Sequence, residues 1–194
     1  MNSTELLTKY KELKINGSYI GLEEGDETAD YFCTPVGAKI IGWDNGIHYC
    51  FIEGFGEVVF CVNPETCCDY HVYPLANNFR DFLSLILATN GTNSIQQIIL
   101  WDKQEFEGFM NSADEIEWGK NENVLLALHT IRTKLNIEPM NKPFEYVKTL
   151  QNSFNYNDIK FTNEYYDTLG LERPDGTEPE EIFELVETIG GYQN

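Results

Sequence analysis

The side chains best suited to chemistry in this chain are its three histidines and five cysteines. His48 and His71 are the candidates for a general base, while Cys50 and Cys61 are candidates for a nucleophile, a disulfide or a shared metal ion. His48 and His129 each stand alone in an apolar run, where an imidazole is more often a hydrogen-bonded core group than a base. We therefore predict no catalytic residue.

A zinc site is the second chemical possibility, because Cys61, Cys67, Cys68 and His71 have the residue types of zinc ligands. Their spacing, C-x5-C-C-x2-H, matches no usual ligand pair, and two adjacent cysteines rarely reach one metal ion without strain. The alternative is a loop with incidental thiols. We predict no metal ion and no cofactor, and the odd number of cysteines argues against a disulfide framework.

The elements that position these side chains begin with a run of strand patterns. Four strands are predicted in succession: Lys39–Trp43, Ile47–Glu53, Val58–Asn63 and residues 69–73, the last closed by Pro74. Short turns at Asn45-Gly46 and Gly54-Phe55-Gly56 join the first three. Consecutive strands with short turns are antiparallel, so the pattern predicts a meander.

The pairing in this meander decides whether Cys50 and Cys61 can meet. If Phe55 centres its hairpin, Cys50 faces Phe60 and Cys61 faces Tyr49. The two sulfur atoms then lie on opposite faces of the sheet, because side chains alternate along a strand. A shared metal ion or disulfide is therefore disfavoured, although a one-residue bulge would reverse this expectation.

Helical patterns follow the strands and one precedes them. Asn78 is predicted to cap a helix whose apolar stripe contains Phe79, Phe82, Leu83, Ile86 and Leu87. The other predicted helices cover residues 3–14, 94–101, 103–111, 122–136 and 143–153, with a last one after Thr177 that carries Ile182, Phe183, Val186 and Ile189. Strands first and helices after indicate an α+β domain rather than a parallel βαβ fold.

The net charge is the unusual bulk property, since 32 acidic residues oppose 13 basic ones and give −19 over 194 residues. Such a charge argues against binding nucleic acid or an anionic membrane and favours a basic protein partner. Neither a signal peptide nor an apolar run long enough to span a membrane is found. A cytoplasmic location is the expectation.

The acidity is concentrated in blocks at residues 23–30, 102–118 and 164–187. Two of these blocks contain the candidate partner-binding residues, although ordinary solvated surface is the alternative for each. The candidates are Glu23, Glu24, Asp26, Glu27 and Asp30 in the first block, and Asp114, Glu115 and Glu117 in the second.

Three motifs between Ile41 and Phe109 together resemble the SUKH superfamily, named for a yeast cell-wall assembly regulator and its relatives. The motifs read GWDNGIHYCFIEGFGEVVFCVNP, YPLANNFRDFLSLIL and WDKQEFEGF. The matching positions are turn glycines and core aromatics, and each has a structural interpretation. The residues that correspond are Gly46–Phe51, Gly54–Gly56, Val59–Pro64, Pro74–Leu83 and Trp101–Phe106.

The resemblance implies a mainly antiparallel sheet of four to six strands with helices packed against it. We expect a SUKH-like α+β domain at residues 1–138 and a mostly helical extension, packed on that core, at residues 139–194. Many bacterial members look like immunity proteins that neutralise toxins, often nucleases, and no catalytic residue is carried over from the family.

The expected function is therefore a non-catalytic binding module that neutralises a cognate toxin, with an acidic block taking the place of the nucleic-acid substrate. Two alternatives stay open. One is a regulatory scaffold that uses an apolar patch or groove on the sheet. The other is an enzyme, which would need a deep pocket holding His48 or His71 beside a perturbed carboxylate.

Overall fold

The fold is built on a four-stranded antiparallel sheet with the strand order β1-β2-β3-β4. A computed structural model describes residues 1–66 and 68–177 of the chain. The strands are β1 (Ala38–Asp44), β2 (Ile47–Ile52), β3 (Val59–Val62) and β4 (Val72–Ala76). The predicted meander and the α+β class are confirmed.

The first hairpin forms where the sequence predicts it, because Asn45 and Gly46 both adopt left-handed backbone angles, with φ of 47° and 91°. Two left-handed residues are what a two-residue type I′ turn requires. In the next hairpin Cys50 pairs with Phe60 and Tyr49 pairs with Cys61, as predicted. The two cysteines consequently lie in different core clusters, on opposite faces of the sheet.

The predicted boundaries of the fourth strand are wrong. The strand does not run over residues 69–73 and stop at Pro74, because Pro74 lies inside β4 and is the partner of Phe60. A proline is tolerated there because β4 is an edge strand, and its missing N–H leaves no neighbouring strand unpaired. The Pro74 carbonyl instead accepts a hydrogen bond from Gln151 Nε2 at 3.4 Å.

Eight α-helices are present among the described residues, and two short 3-10 helices, Gly17–Tyr19 and Tyr156–Asp158, accompany them. In the part of the chain that the structure describes, no helix is long and apolar enough to cross a membrane. The α-helices are α1 (Ser3–Glu12), α2 (Phe79–Thr89), α3 (Asn93–Gln97), α4 (Lys103–Met110), α5 (Ala113–Trp118), α6 (Glu122–Leu135), α7 (Pro143–Ser153) and α8 (Asn163–Leu169).

Most predicted helices are present, and Asn78 caps α2 as expected by accepting the Asp81 N–H at 2.9 Å. The helix predicted over 94–101 is shorter, and α5 and α8 were not predicted. Both unpredicted helices are one to two turns long and bury almost no apolar side chain, so they carry no periodic stripe. The predicted last helix lies outside the described residues.

Apolar side chains cover both faces of the sheet. Helices pack on one face, where Tyr49 and Tyr73 of the sheet meet Phe79 and Phe82 of α2. Loops and short C-terminal segments cover the other face around Phe60. Both clusters include residues beyond position 139, so the division of the chain at 138/139 stays a prediction.

Two glycines offer a matched test of this packing. A Cβ atom at Gly17 would lie 1.9 Å from the Leu22 carbonyl oxygen, whereas one at Gly108, exposed inside α4, would have no atom within 4 Å. We expect Gly17→Ala to lower the free energy of unfolding by about 2 kcal/mol and Gly108→Ala to raise it by about 0.5–1 kcal/mol. Urea unfolding of the two variants measures both, and equal effects would contradict the described approach of Gly17 to Leu22.

Candidate functional site

A cleft of about 310 Å³ opens where the end of β1, the turn after α2 and the helix α5 come together. Two carboxylates, Asp44 and Glu115, line it, together with amide and hydroxyl groups and the rings of Tyr19 and Trp118. No lysine or arginine is among the described residues that line the cleft. The cleft is therefore an acidic cavity without an internal counter-charge.

The Asp44 carboxylate is held by neutral donors. Its Oδ2 accepts hydrogen bonds from Thr92 Oγ1 at 2.8 Å and from Gln96 Nε2 at 2.7 Å, and its Oδ1 accepts one from Asn45 Nδ2 at 3.2 Å. The Gln96 amide also contacts the hydroxyl of Tyr49, which is fully buried in the sheet. This network fixes the position of a negative charge at the wall of the cleft.

Glu115 differs from Asp44 because no side chain in the described part of the chain donates a hydrogen bond to its carboxylate. The residue is 8% exposed, and its side chain makes no hydrogen bond or ion pair with any residue that the structure describes. Burial raises the pKa of its carboxyl above the usual range. An ionised group buried without a partner costs folding free energy, so its presence suggests a purpose other than stability.

The local sequence explains how Glu115 reaches this position. Ser112 begins α5 by accepting the Glu115 N–H at its side-chain oxygen, 3.2 Å away. Asp114 and Glu117, on either side, are exposed. The last turn of α2 also ends at the cleft, where Asn90 adopts a left-handed conformation. Carbonyl groups at a helix C-terminus add negative potential and favour a cation.

The first acidic block is a loop beside β1. Glu23 is half-buried, and its backbone exchanges two hydrogen bonds with Trp43, of 2.8 and 2.9 Å, so its role is to extend the sheet edge. Glu27 forms an ion pair with Lys11. The exposed carboxylates of this block are Glu24, Asp26, Glu27 and Asp30.

The carboxylates of the second block are of two kinds: some stabilise the start of a helix, and others are free of such a role. Asp102 caps α4, and Glu105 completes the capping box, so both stabilise the helix start. Asp114 and Glu117 are exposed, whereas Glu115 is buried because α5 turns its side chain into the cleft. Asp44, which precedes the predicted Asn45-Gly46 turn, is a cleft residue that the sequence pattern does not identify.

His48 is not the hydrogen-bonded core histidine that the sequence indicates. It is fully buried, and neither of its ring nitrogens has a hydrogen-bond partner among the described residues. Its ring stacks on Tyr31 at 5.4 Å and meets Trp43 edge-on at 5.0 Å. Burial lowers the pKa of His48 to about 4, so it is neutral at pH 7. His129, expected in the core, is exposed.

His71 and the cysteines take up other roles. His71 Nδ1 donates to the Asn63 carbonyl at 3.1 Å, and the ring lines an open aromatic groove of about 340 Å³ whose carboxylate, Asp69, is exposed. Burial raises the pKa of the Cys61 thiol to about 12, which makes it a poor ligand or nucleophile. Within residues 1–66 and 68–177, no three His, Cys, Asp or Glu side chains are grouped to hold a metal ion, and Cys67 lies outside them.

Comparison of the chain with protein-family models, with curated proteins and with solved structures found no match. Membership of the SUKH superfamily therefore stays a prediction, and the cleft is interpreted from its own geometry.

The stability of the protein should depend on His48 in mildly acidic solution. Because the pKa of His48 falls from about 6.5 unfolded to about 4 folded, the unfolded chain binds the extra proton between these values. The contribution of the neutral His48 to stability is complete above pH 6.5 and decreases as the pH falls towards 4, by about 3 kcal/mol in total. Urea unfolding between pH 7 and pH 4.5 should show a weaker pH dependence in His48→Phe than in the wild type.

His129→Phe is the matched control, since it removes an exposed histidine, and its pH profile should follow that of the wild type. Identical profiles for His48→Phe and the wild type would contradict the burial of a neutral imidazole.

Replacement of Glu115 should stabilise the protein. Glu115→Gln removes a partly desolvated charge, and we expect the free energy of unfolding at pH 7 to rise, by less than about 1 kcal/mol because solvent and the α5 N-terminus screen the carboxylate. Glu117→Gln, the same change two residues further along α5 at an exposed position, should alter it by less than about 0.5 kcal/mol. Thermal and urea unfolding measure both, and a loss of stability in Glu115→Gln would show that its carboxylate has a partner.

Proposed function

We propose that this chain is a non-catalytic protein-binding module that neutralises a cognate toxin with a basic surface, that is, an immunity protein. The observation that carries the proposal is the unpaired carboxylate of Glu115 in a cleft that holds a second carboxylate, Asp44, and no basic group among the described residues. Such a cleft is incomplete without a cation from outside.

The surface around the cleft supports a protein partner. Ile116 and Trp118 follow Glu115 along α5 and are 46% and 40% exposed. Exposed tryptophan beside charged groups is typical of the energetically important centre of protein interfaces. The exposed carboxylates of residues 23–30 lie a few positions after the cleft residues Tyr19 and Gly21 and would add long-range attraction for a basic surface.

The toxin identity of the partner rests on the resemblance to the SUKH superfamily. The four-stranded antiparallel sheet with packed helices is compatible with that expectation. The motif residues have scaffold roles, as the left-handed Gly54 and Gly56 in a turn and the buried Phe79 and Phe82 illustrate. The proposal includes a cytoplasmic location and a protein partner rather than a nucleic acid or a membrane.

A regulatory scaffold is the second candidate function. A groove between α6 and the segment after α1 contains Leu13, Tyr19 and Leu126, and Leu126 is 64% exposed. An apolar helix of a partner could lie in such a groove without any need for charge. Indifference of partner binding to ionic strength would favour this second function.

Salt dependence and charge neutralisation test the first function against the product of any toxin gene adjacent to the gene for this chain. Immobilised toxin should bind the full chain, and its association rate should fall about tenfold or more between 50 and 500 mM NaCl. Neutralising Asp114 and Glu117 together, or Glu24, Asp26, Glu27 and Asp30 together, should slow association further at low salt.

The matched control neutralises Glu164 and Glu172, which are exposed and lie outside both blocks. This double variant makes the same charge change as the neutralisation of Asp114 and Glu117 and should lose less association rate. The proposal fails if the toxin does not bind, or if its binding is unaffected by salt and by both neutralisations.

A further inference from the structure

We propose that the cleft between Asp44 and Glu115 is a pocket for one arginine side chain of the partner, with the guanidinium group paired to Glu115. The inference rests on the proposed function only in that a partner protein supplies the arginine. It assigns the cleft one ligand class, a guanidinium group, and pairs that group with Glu115. Both assignments can be tested without the partner protein.

The size of the cleft suits a single side chain. Its volume of about 310 Å³ is at the lower limit for small-molecule sites in proteins. A folded element of a partner is too large for it, whereas a long side chain can reach in from the surface. The lining combines carboxylate, amide and hydroxyl groups with the rings of Tyr19 and Trp118.

The electrostatics of the cleft require a cation. Glu115 is 8% exposed and has no hydrogen-bond or ion-pair partner in the described part of the chain, so its carboxylate has lost part of its hydration at the wall of the cleft. A cation that enters meets a carboxylate that folding has already partly desolvated. Binding therefore gains Coulomb energy at a reduced desolvation cost, as expected of a preorganised site.

The second carboxylate orients the ligand. Asp44 is fixed by Thr92 and Gln96, which occupy its Oδ2, while among the described residues its Oδ1 accepts only the hydrogen bond from Asn45 at 3.2 Å. An oxygen accepts two hydrogen bonds, so Oδ1 retains capacity for a further donor. A group with several N–H donors can therefore contact both Glu115 and the Oδ1 edge of Asp44.

Guanidinium fits these features better than the other common cations. Its planar fork offers five donors, it is weakly hydrated, and it stacks on aromatic rings such as that of Trp118. An ammonium group is a compact, strongly hydrated point charge that gains less from a ring. Calcium needs six to eight oxygen ligands, and two carboxylates that are not joined by a third supply few of them.

The negative end of α2 adds to the preference for a cation. This helix ends at Thr89, and the cleft is lined by the residues that follow it, Asn90 and Gly91. Carbonyl groups in the last turn of a helix of this length attract positive charge within the first few ångströms. Glu115, Asp44 and the α2 terminus thus act in the same direction.

The test is a titration of the full chain with N-acetyl-L-arginine amide, followed by the indole N–H resonance of Trp118 and by calorimetry. We expect saturable binding in the millimolar range, because a single side chain brings few contacts. N-acetyl-L-citrulline amide has nearly the same shape without the charge, and it should bind at least tenfold more weakly. N-acetyl-L-lysine amide should bind more weakly than the arginine amide.

Glu115→Gln should weaken arginine amide binding at least tenfold, while Glu117→Gln should leave the affinity unchanged within a factor of two. Thermal unfolding confirms that both variants are folded. The assignment is wrong if citrulline amide binds as well as arginine amide, if Glu115→Gln has no effect, or if 1 mM calcium or magnesium occupies the cleft more tightly than 10 mM arginine amide.

The outcomes separate this inference from the proposed function. Arginine amide binding that depends on Glu115 supports the pocket even if the neighbouring toxin does not bind, in which case only the immunity proposal fails. Toxin binding that persists in Glu115→Gln, together with no arginine amide binding, supports the immunity proposal and overturns the pocket.

Discussion

The hydrogen bonds to Asp44 connect the parts of the structure on which the cleft depends. Asp44 ends β1, Thr92 precedes α3, Gln96 lies within α3, and Gln96 reaches the buried hydroxyl of Tyr49 in β2. Thr92 also meets the Gly21 carbonyl, which brings the segment after α1 to the same place. One carboxylate therefore holds sheet, helix and loop in register, and a buried network of this kind specifies a single arrangement.

The two carboxylates of the cleft have different roles: Asp44 contributes to the structure, and Glu115 is the residue to which the proposal assigns ligand binding. Asp44 receives three hydrogen bonds and is a structural group, while the Glu115 carboxylate accepts none from the described residues and has its pKa raised by burial. A protein with a free energy of unfolding of about 5–15 kcal/mol can carry one such conflict if the core compensates for it. The apolar residues on both faces of the sheet provide that compensation.

The sequence predicts the elements whose signals are local. The turn residues Asn45 and Gly46 and the alternation along β2 and β3 are sufficient for the register that separates Cys50 from Cys61. The sequence does not predict the end of β4, because a proline such as Pro74 fits inside a strand only when that strand lies at the edge of the sheet. Which strand forms the edge is set by the tertiary fold and not by the local sequence. The cleft was missed for the same reason, since Asp44 and Glu115 lie 71 positions apart and α5 has no apolar stripe.

On the proposed function, the net charge and the cleft would contribute to partner recognition in different ways: the charge to the rate of encounter, and the cleft to specificity. A chain with a charge of −19 attracts any basic protein, and exposed carboxylates such as Glu24 and Asp114 act mainly on the rate of encounter. Discrimination requires a contact that penalises the wrong partner, and a desolvated carboxylate does so because every partner without a matching cation leaves it unpaired. On the proposed function, long-range charge would select a class of partner, and Glu115 would select within that class.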